Sequence, residues 1–123
     1  MEQILWLDDA RNPADKLWHS YFPCDGDVVW VKTYNEFVEW VETNGLPIAV
    51  CFDHDIGADE PTGYDAAKWL VDYCGTNGKY LPLYSVQSAN VVGKANIISL
   101  LETFKRLTGE VDELVRNTNL SKN

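Results

Sequence analysis

The sequence has no long hydrophobic run and few basic residues, and both absences restrict its partners. No apolar stretch approaches the roughly 20 residues of a membrane-spanning helix, and no signal peptide is visible at the N-terminus. Ten Lys and Arg residues stand against 19 Asp and Glu, a formal net charge of −9. Because basic residues that neutralise phosphates supply most of the affinity for duplexes, we expect no duplex DNA partner and no membrane partner.

Cysteine is scarce as well, and its three copies follow no pattern. Cys24, Cys51 and Cys74 form no CxxC pair and are odd in number. This spacing disfavours a structural zinc site or a disulfide framework. We therefore expect reduced thiols and a cytoplasmic location.

The sequence contains enough apolar residues for one packed domain. Hydrophobic residues make up 46% of the 123 positions, and aromatic residues 12%. This composition is typical of a globular domain rather than a disordered chain. The length allows one domain with a core of its own and is too short for two.

Hydrophobic periodicity predicts alternating strands and helices. Apolar, β-branched runs indicate strands at 3–7, 28–31, 47–52 and 83–86, with a helix-like segment around Pro13 between the first two. Apolar residues at helical spacing, with Thr33 and Gly45 as caps of the first, predict three further helices. Strands of this kind pair in parallel and are covered on both faces. We predict a three-layer α/β/α domain over residues 1–109, with a parallel sheet of four or five strands, and a polar C-terminal extension or tail over 110–123.

Polar clusters follow three of these strands directly. They are Asp8-Asp9, Asp53-His54-Asp55 and Gln87-Ser88-Ala89-Asn90. Ligands of parallel α/β sheets bind beyond the carboxyl ends of the strands. The agreement among the three clusters therefore predicts one shared functional site at that edge.

The aspartates of this edge are candidate metal ligands. Neighbouring strands lie about 4.8 Å apart, so the carboxylates of Asp8, Asp9, Asp53 and Asp55 are expected to converge, in a pocket that the sequence otherwise leaves short of cations. Carboxylates at that range repel unless they share a proton or bind a cation, and all-oxygen ligation suits Mg²⁺ or Mn²⁺. Asp8 and Asp55 are alternatively turn and cap residues.

The other polar residues are candidates for proton transfer and phosphate binding. His54, between two acids, suits a general acid or a phosphate-binding cation, although strand alternation equally allows it to point into the core or over the opposite helix layer. Ser88, Asn90 and Lys94 lie around the start of the last helix, where hydroxyl, amide, ammonium and backbone N–H groups form an anion cradle. Ser88 is alternatively the helix N-cap, and Lys94 part of a solvated face.

Together, these motifs resemble the cyclic-phosphate-processing receiver-like family of bacteria and phages. The resemblance covers roughly residues 4–105 and is carried by four segments: Trp6-Leu7-Asp8-Asp9-Ala10-Arg11-Asn12-Pro13, Phe52-Asp53-His54-Asp55-Ile56-Gly57, Thr62-Gly63-Tyr64-Asp65 with Trp69-Leu70, and Ser88-Ala89-Asn90 with Gly93. It implies a receiver-like (flavodoxin-like) sheet in the order 2-1-3-4 with an acidic pocket. It also implies metal-dependent hydrolysis of cyclic or terminal phosphates, in RNA processing or repair, with Asp53, His54 and Ser88 as catalytic residues.

One position departs from the pattern that the resemblance implies. The family usually has a histidine before the serine of the strand-four motif, and this chain has Gln87. Glutamine donates hydrogen bonds, so it still suits phosphate binding, but it exchanges no proton near neutral pH. This departure puts enzymatic turnover in question.

Three functions follow from these observations. The first is a Mg²⁺-dependent phosphoesterase acting on a phosphorylated small ligand or an RNA end. The second is a catalytically silent phage-type protein, in the bacterial host cytoplasm, that sequesters a nucleotide or binds a host protein through its acidic surface. The third is a phosphoacceptor receiver with Asp53 as the aspartyl-phosphate site and Ser88 and Lys94 beside it.

Overall fold

Four strands of the chain form one parallel sheet. The computed structural model describes the backbone of residues 2–57 and 61–121, and the side chains of those residues up to 108. The strands β1 (Gln3–Leu7), β2 (Asp27–Val31), β3 (Ala49–Phe52) and β4 (Leu83–Val86) lie in the order β2-β1-β3-β4. Every neighbouring pair is parallel. The fold class, the strand count and the order implied by the resemblance are confirmed.

Three α-helices cover one face of this sheet. They are α1 (Tyr34–Asn44), α2 (Gly63–Asn77) and α3 (Val91–Ser121). Their apolar stripes pack on Leu5, Leu7, Val50 and Phe52, the side chains that alternation directs to that face. The continuous apolar character of β1 and β3 reflects burial on both faces, since every residue from Ile4 to Leu7 is fully buried.

A 3-10 helix, Lys16–Tyr21, covers the opposite face. The side chain of Asp15 caps it by accepting a hydrogen bond from the amide of Leu17 at 3.0 Å. Trp18, Tyr21 and Phe22 from this segment pack on Ile4, Trp6, Ala49 and Cys51. The segment predicted as helix-like thus provides the second outer layer with aromatic side chains rather than with an α-helix.

Capping side chains set the starts of α1 and α2. Thr33 accepts a hydrogen bond from the amide of Glu36 at 3.1 Å, as predicted, but the Glu36 carboxylate accepts from Lys32 rather than from Thr33. A complete capping box occurs instead at α2, between Thr62 and Asp65. These caps fix where each helix leaves the carboxyl edge of the sheet.

The last helix is longer than the others. α3 runs without interruption to Ser121, through the residues from 110 onward that were predicted to be a polar C-terminal extension or tail. No proline interrupts residues 91–121, so nothing in this stretch forces the helix to stop. Residues 122 and 123 of the predicted tail lie outside the described residues. Within the described chain, no helix combines the length and apolar character needed to cross a membrane.

Gly63 joins α2 tightly to the end of β3. A Cβ atom at this position would lie 1.8 Å from the Asp53 carbonyl oxygen, closer than any real contact. The Gly63 amide donates a hydrogen bond to the His54 carbonyl at 2.8 Å. The absence of a side chain therefore lets the helix start rest directly on the residues of the site.

We expect Gly63→Ala to destabilise the protein strongly, because the methyl group collides with backbone that cannot move without breaking the β3 ladder. The loss in free energy of unfolding should be about 3 kcal/mol. Gly75→Ala, in the same helix, is the matched control: its Cβ meets only Phe104 at 3.7 Å, and alanine there should stabilise by about 0.5–1 kcal/mol. Urea unfolding measures both changes, and equal stabilities for the two variants would contradict the close approach at Gly63.

Candidate functional site

The carboxylates of Asp8 and Asp53 meet at the carboxyl edge of the sheet. β1 and β3 are paired so that Leu7 lies opposite Phe52, and each aspartate is the next residue of its chain. The Asp53 amide donates to the Leu7 carbonyl at 3.0 Å, which extends the ladder into the site. One oxygen from each of Asp8, Asp9 and Asp53 lies within 4.8 Å of the others. Strand register thus brings together three of the four predicted metal ligands.

Asp8 also shapes the turn that follows β1. Its side chain is buried, and Oδ1 accepts hydrogen bonds from the amides of Ala10 at 3.0 Å and Arg11 at 2.8 Å. Oδ2 accepts a hydrogen bond from the Arg11 guanidinium at 3.3 Å. The turn role that the sequence left open for Asp8 is therefore realised, together with its place in the cluster.

Arg11 is the site residue that the sequence analysis did not single out. Its Nη1 lies 3.3 Å from Asp8 Oδ2 and 3.7 Å from Asp53 Oδ1, so the expectation of a pocket short of cations is wrong. The guanidinium also stacks over the Trp18 ring, 5.1 Å from its centroid. The three-residue spacing from Asp8 to Arg11 could have indicated this contact, because a turn of that length brings the arginine side chain back to the Asp8 carboxylate.

Two indoles, the buried Trp6 and the half-buried Trp30, hold this turn in place. Trp6 Nε1 donates to the Arg11 carbonyl at 2.9 Å, and Trp30 Nε1 donates to the Asp8 carbonyl at 2.7 Å. Both rings belong to strands of the sheet, so the turn is tied to rigid elements at each end. This anchoring fixes the position of the Arg11 guanidinium relative to the carboxylates of Asp8 and Asp53.

The environment of Asp53 disfavours its charged form. Burial is the main cause, and the neighbouring Asp8 charge adds to it, so the pKa of Asp53 is raised from 3.8 to about 6. The attraction of Arg11 and the Ser88 hydroxyl work in the opposite direction and are too weak to cancel the effect. A cation bound beside Asp53 would therefore favour its charged form.

These groups open onto a single cavity of about 260 Å³. Its walls come from the turn after β1, the end of β3 and the segment after β4, and comprise Asp8, Asp9, Ala10, Arg11, Asp53, Asp55, Ser88 and Ala89. Four carboxylates, one guanidinium and one hydroxyl thus surround a small space at the carboxyl edge of a parallel sheet. The arrangement can bind a hard cation through oxygen atoms and an anion through the guanidinium.

Comparison with known proteins identifies the family. Residues 3–103 match the cyclic-phosphate processing receiver domain. The chain belongs to this family. No curated protein matches the chain. A solved structure, a yeast Spc42 trimeric coiled-coil segment fused to another protein, aligns over 99% of this chain and 95% of its own, with 16% identity and a TM-score of 0.55, and this likeness shows the fold alone.

His54 of this receiver domain lies on the other side of the sheet from Asp53. His54 is the next residue after Asp53, so its ring points toward the α-helices, where a Cβ on Gly93 would lie 2.3 Å from the imidazole. His54 does not line the acidic cavity; it lines a separate groove. The sequence allowed His54 to lie either in the shared site or toward the core and the helices. The second placement is closer to the one observed.

Asp55 connects the two sides. Its Oδ1 lies 2.8 Å from His54 Nδ1 and 3.4 Å from Asn90 Nδ2, which donates to it. The hydrogen bond with His54 is the main reason why the pKa of Asp55 is lowered. The carboxylate is 65% exposed at the mouth of the cavity, outside the Asp8–Asp9–Asp53 cluster. His54 therefore contacts the lining of the acidic cavity through Asp55.

The segment after β4 contributes unequally. Ser88 lines the cavity and accepts a hydrogen bond from the Asn90 amide at 3.1 Å. Asn90 Oδ1 accepts from the Gly93 amide at 2.8 Å, so Asn90, rather than Ser88, caps the start of α3. Lys94 lies in the first turn of α3 and is not among the lining residues. Of Ser88, Asn90 and Lys94, which were predicted to bind phosphate, Ser88 alone lines the cavity, and the Asn90 amide donates a hydrogen bond to it.

Gln87, at the position where the family usually has histidine, lies beneath the cavity. Its Nε2 donates to the carbonyls of Leu7 at 3.1 Å and Cys51 at 3.4 Å. Its Oε1 is buried and has no partner among the described residues. The side chain is not part of the cavity wall. The sequence placed Gln87 among the phosphate ligands, whereas the structure places it as a donor that joins β1 and β3.

We expect Asp53→Asn to stabilise the metal-free protein near neutral pH. Because the pKa of Asp53 is higher in the folded state, folding favours the protonated carboxyl group. The contribution of this proton to the stability of the wild type is complete below about pH 4 and is lost as the pH rises through 6. The variant should exceed the wild type by on the order of 2 kcal/mol at about pH 7.5, and the gap should close toward about pH 4.

Urea unfolding in EDTA across this pH range measures the difference. Asp9→Asn is the matched control, since Asp9 belongs to the same cluster but is exposed. A gap between Asp53→Asn and the wild type that does not change with pH would contradict the burial of an ionised Asp53.

Proposed function

We propose that this receiver domain is a metal-dependent phosphoesterase that acts on a cyclic or terminal phosphate of a nucleotide or RNA end. The observation that supports it best is the convergence of Asp8, Asp9 and Asp53 to within 4.8 Å, with Asp53 desolvated beside a like charge. Structural side chains rarely accept this cost without a ligand. The family to which the chain belongs processes cyclic phosphates, as its description states.

The donor set fits a hard divalent cation. Asp8, Asp9 and Asp53 supply carboxylate oxygens, with no sulfur or imidazole in the cluster, and Mg²⁺ or Mn²⁺ prefers such ligands. Such a cation polarises phosphoryl oxygens and offsets charge that develops on them. Asp55 lies at the cavity mouth rather than in the cluster, so we assign it a different role.

The remaining residues of the cavity bind phosphate and handle the proton. Arg11 is held by Asp8 and stacked on Trp18, and its guanidinium suits two phosphate oxygens at once. Ser88 offers a hydroxyl in the same cavity. Asp55 Oδ2 accepts the proton of the attacking water, while His54 holds Oδ1 and so orients the carboxylate. His54 is therefore a positioning residue in this scheme, rather than the general acid that the sequence favoured.

The two other functions gain less support. Gln87 favoured a silent nucleotide-binding or host-binding protein, because it exchanges no proton, but a residue beneath the cavity need not exchange one. A phosphoacceptor receiver requires a lysine beside Asp53, and Lys94 does not line the cavity. The phosphoesterase uses the groups that the cavity contains.

Hydrolysis of nucleoside 2′,3′-cyclic phosphates, and of RNA ending in one, tests the proposal. In the presence of millimolar Mg²⁺ or Mn²⁺ the wild type should open the ring by adding water across one P–O bond, which yields a monophosphate. Asp53→Ala should reduce the rate by at least about a hundredfold, since it removes both a metal ligand and the charge that the site is built around.

Melting temperature separates the two ways in which this test can fail. Metal binding to the folded state alone should raise the melting temperature of the wild type but not that of Asp53→Asn. A rise without turnover would favour the silent binding protein. No rise and no turnover would leave the carboxylates as turn and cap residues and would refute the phosphoesterase.

Gln87→His tests whether position 87 takes part in proton transfer. Because Gln87 is buried beneath the cavity wall, we expect the histidine variant to keep the rate within about threefold and to add no new step near its ordinary pKa of about 6.5. The pH–rate profiles of the two proteins measure this. A tenfold gain with a new titration would show that position 87 reaches the substrate.

A further inference from the structure

A second cavity lies on the other side of His54. It has a volume of about 510 Å³ and runs between the start of α2 and one face of α3. Its walls comprise His54, Thr62, Tyr64, Asn96, Ser99, Leu100 and Thr103. We call this cavity the hydroxyl groove. Its volume falls within the range of small-ligand sites.

The hydroxyl groove differs chemically from the acidic cavity. No lining residue carries a carboxylate, a guanidinium or an ammonium group, although the chain as a whole contains 19 acidic residues. Three hydroxyls, a phenol and an amide offer both donors and acceptors, and Leu100 and the ring of Tyr64 add apolar surface. Such a lining offers a phosphate no lysine or arginine; it suits a neutral ligand with hydroxyl groups and a flat aromatic part.

The two cavities share a wall. His54 lines the hydroxyl groove and Asp55 lines the acidic cavity, and their side chains are in contact at 2.8 Å. Asn90 Nδ2 lies 3.5 Å from His54 Nδ1 and 3.4 Å from Asp55 Oδ1. A ligand that occupies both cavities would therefore have to cross only this one layer of side chains.

Close packing holds this wall in position. The backbone of Gly93 lies so near the imidazole that a Cβ there would be 2.3 Å from His54 Cγ, and Gly63 approaches the His54 Cα in the same way. Thr62, at the rim, is held by the capping box with Asp65. The groove is thus formed by side chains fixed at the starts of two helices.

We propose that the hydroxyl groove binds the nucleoside part of a ligand whose phosphate occupies the acidic cavity. The inference rests on the proposed function for the phosphate and adds the place at which the nucleoside of such a substrate binds. Ribose hydroxyls and base edges match the hydroxyl and amide groups of α3, and Tyr64 and Leu100 offer surface for the base. Because a nucleotide would occupy both cavities and a simple phosphate ester only one, the protein should bind nucleotides more tightly than simple phosphate esters.

Ser99→Trp tests the groove, because the indole fills it from an exposed position of α3. Ala95→Trp is the matched control, exposed on the same helix and outside the groove lining. Calorimetric titration with adenosine 2′,3′-cyclic phosphate in Mg²⁺ should show affinity at least about tenfold weaker for Ser99→Trp and unchanged for Ala95→Trp. Binding of inorganic phosphate should be unchanged in both variants. Equal nucleotide affinities for the two variants would overturn the proposal.

NMR with adenosine alone separates this inference from the phosphoesterase proposal. Millimolar adenosine should shift the amide signals of Asn96, Ser99 and Thr103 in the wild type and equally in Asp53→Ala, whose acidic cluster is broken. Shifts confined to other parts of the molecule, or none, would overturn the groove even if turnover is observed. Groove shifts without any turnover would support the groove and refute the enzyme.

Free nucleotides and RNA ends present the same terminal nucleoside. Titration with a short RNA ending in a 2′,3′-cyclic phosphate distinguishes them: affinity equal to that of the mononucleotide assigns the free nucleotide, and tighter binding assigns the RNA end. Either result supports the groove if Ser99→Trp lowers the affinity for the ligand. Neither result supports the groove if Ser99→Trp leaves that affinity unchanged.

Discussion

The parallel pairing of β1 with β3 is the constraint on which the rest of the site depends. Its register ends both strands at the same level, so that the next residue of each, Asp8 and Asp53, must face the other across a single strand spacing. Burial prevents water from screening the two charges. The protein compensates locally, by returning Arg11 to both carboxylates and by tying the turn to the indoles of Trp6 and Trp30. The compensation is incomplete, as the raised pKa of Asp53 shows. A bound cation would offset the repulsion that remains between the two carboxylates.

The alternation of side chains along β3 divides the functional edge into two environments. Asp53 belongs to the face covered by the 3-10 helix, and His54 to the face covered by the three α-helices. Two adjacent residues therefore serve an acidic cavity and a neutral groove, and Asp55 joins them. A sheet that offers one chemical environment on each face suits a ligand with a charged end and an uncharged end. The close approaches at Gly63 and Gly93 keep the dividing wall thin and rigid.

Much of this was predictable from the sequence. The apolar runs and capping residues located four strands and three α-helices, and the polar clusters after three strands indicated the edge at which the site lies. The weaker predictions concern side chains whose roles depend on which way they point. His54, Lys94 and Gln87 have suitable chemistry at suitable positions along the chain, yet none of them lines the acidic cavity. Residue type and spacing do not report the direction of a side chain beyond the last paired residue of a strand, where the alternation is set by the fold.

The sequence by itself determined the class of the domain, its acidic character and the edge at which its ligand groups gather, because periodicity and strand ends are local properties of the chain. Tertiary structure alone decided which of those groups meet. Arg11 joins the cluster because two indoles from separate strands hold its turn, and Gln87 is excluded because carbonyls of β1 and β3 accept its amide. These contacts link residues as many as 80 positions apart. Their energies depend on burial and distance, which exist only after the strands have paired.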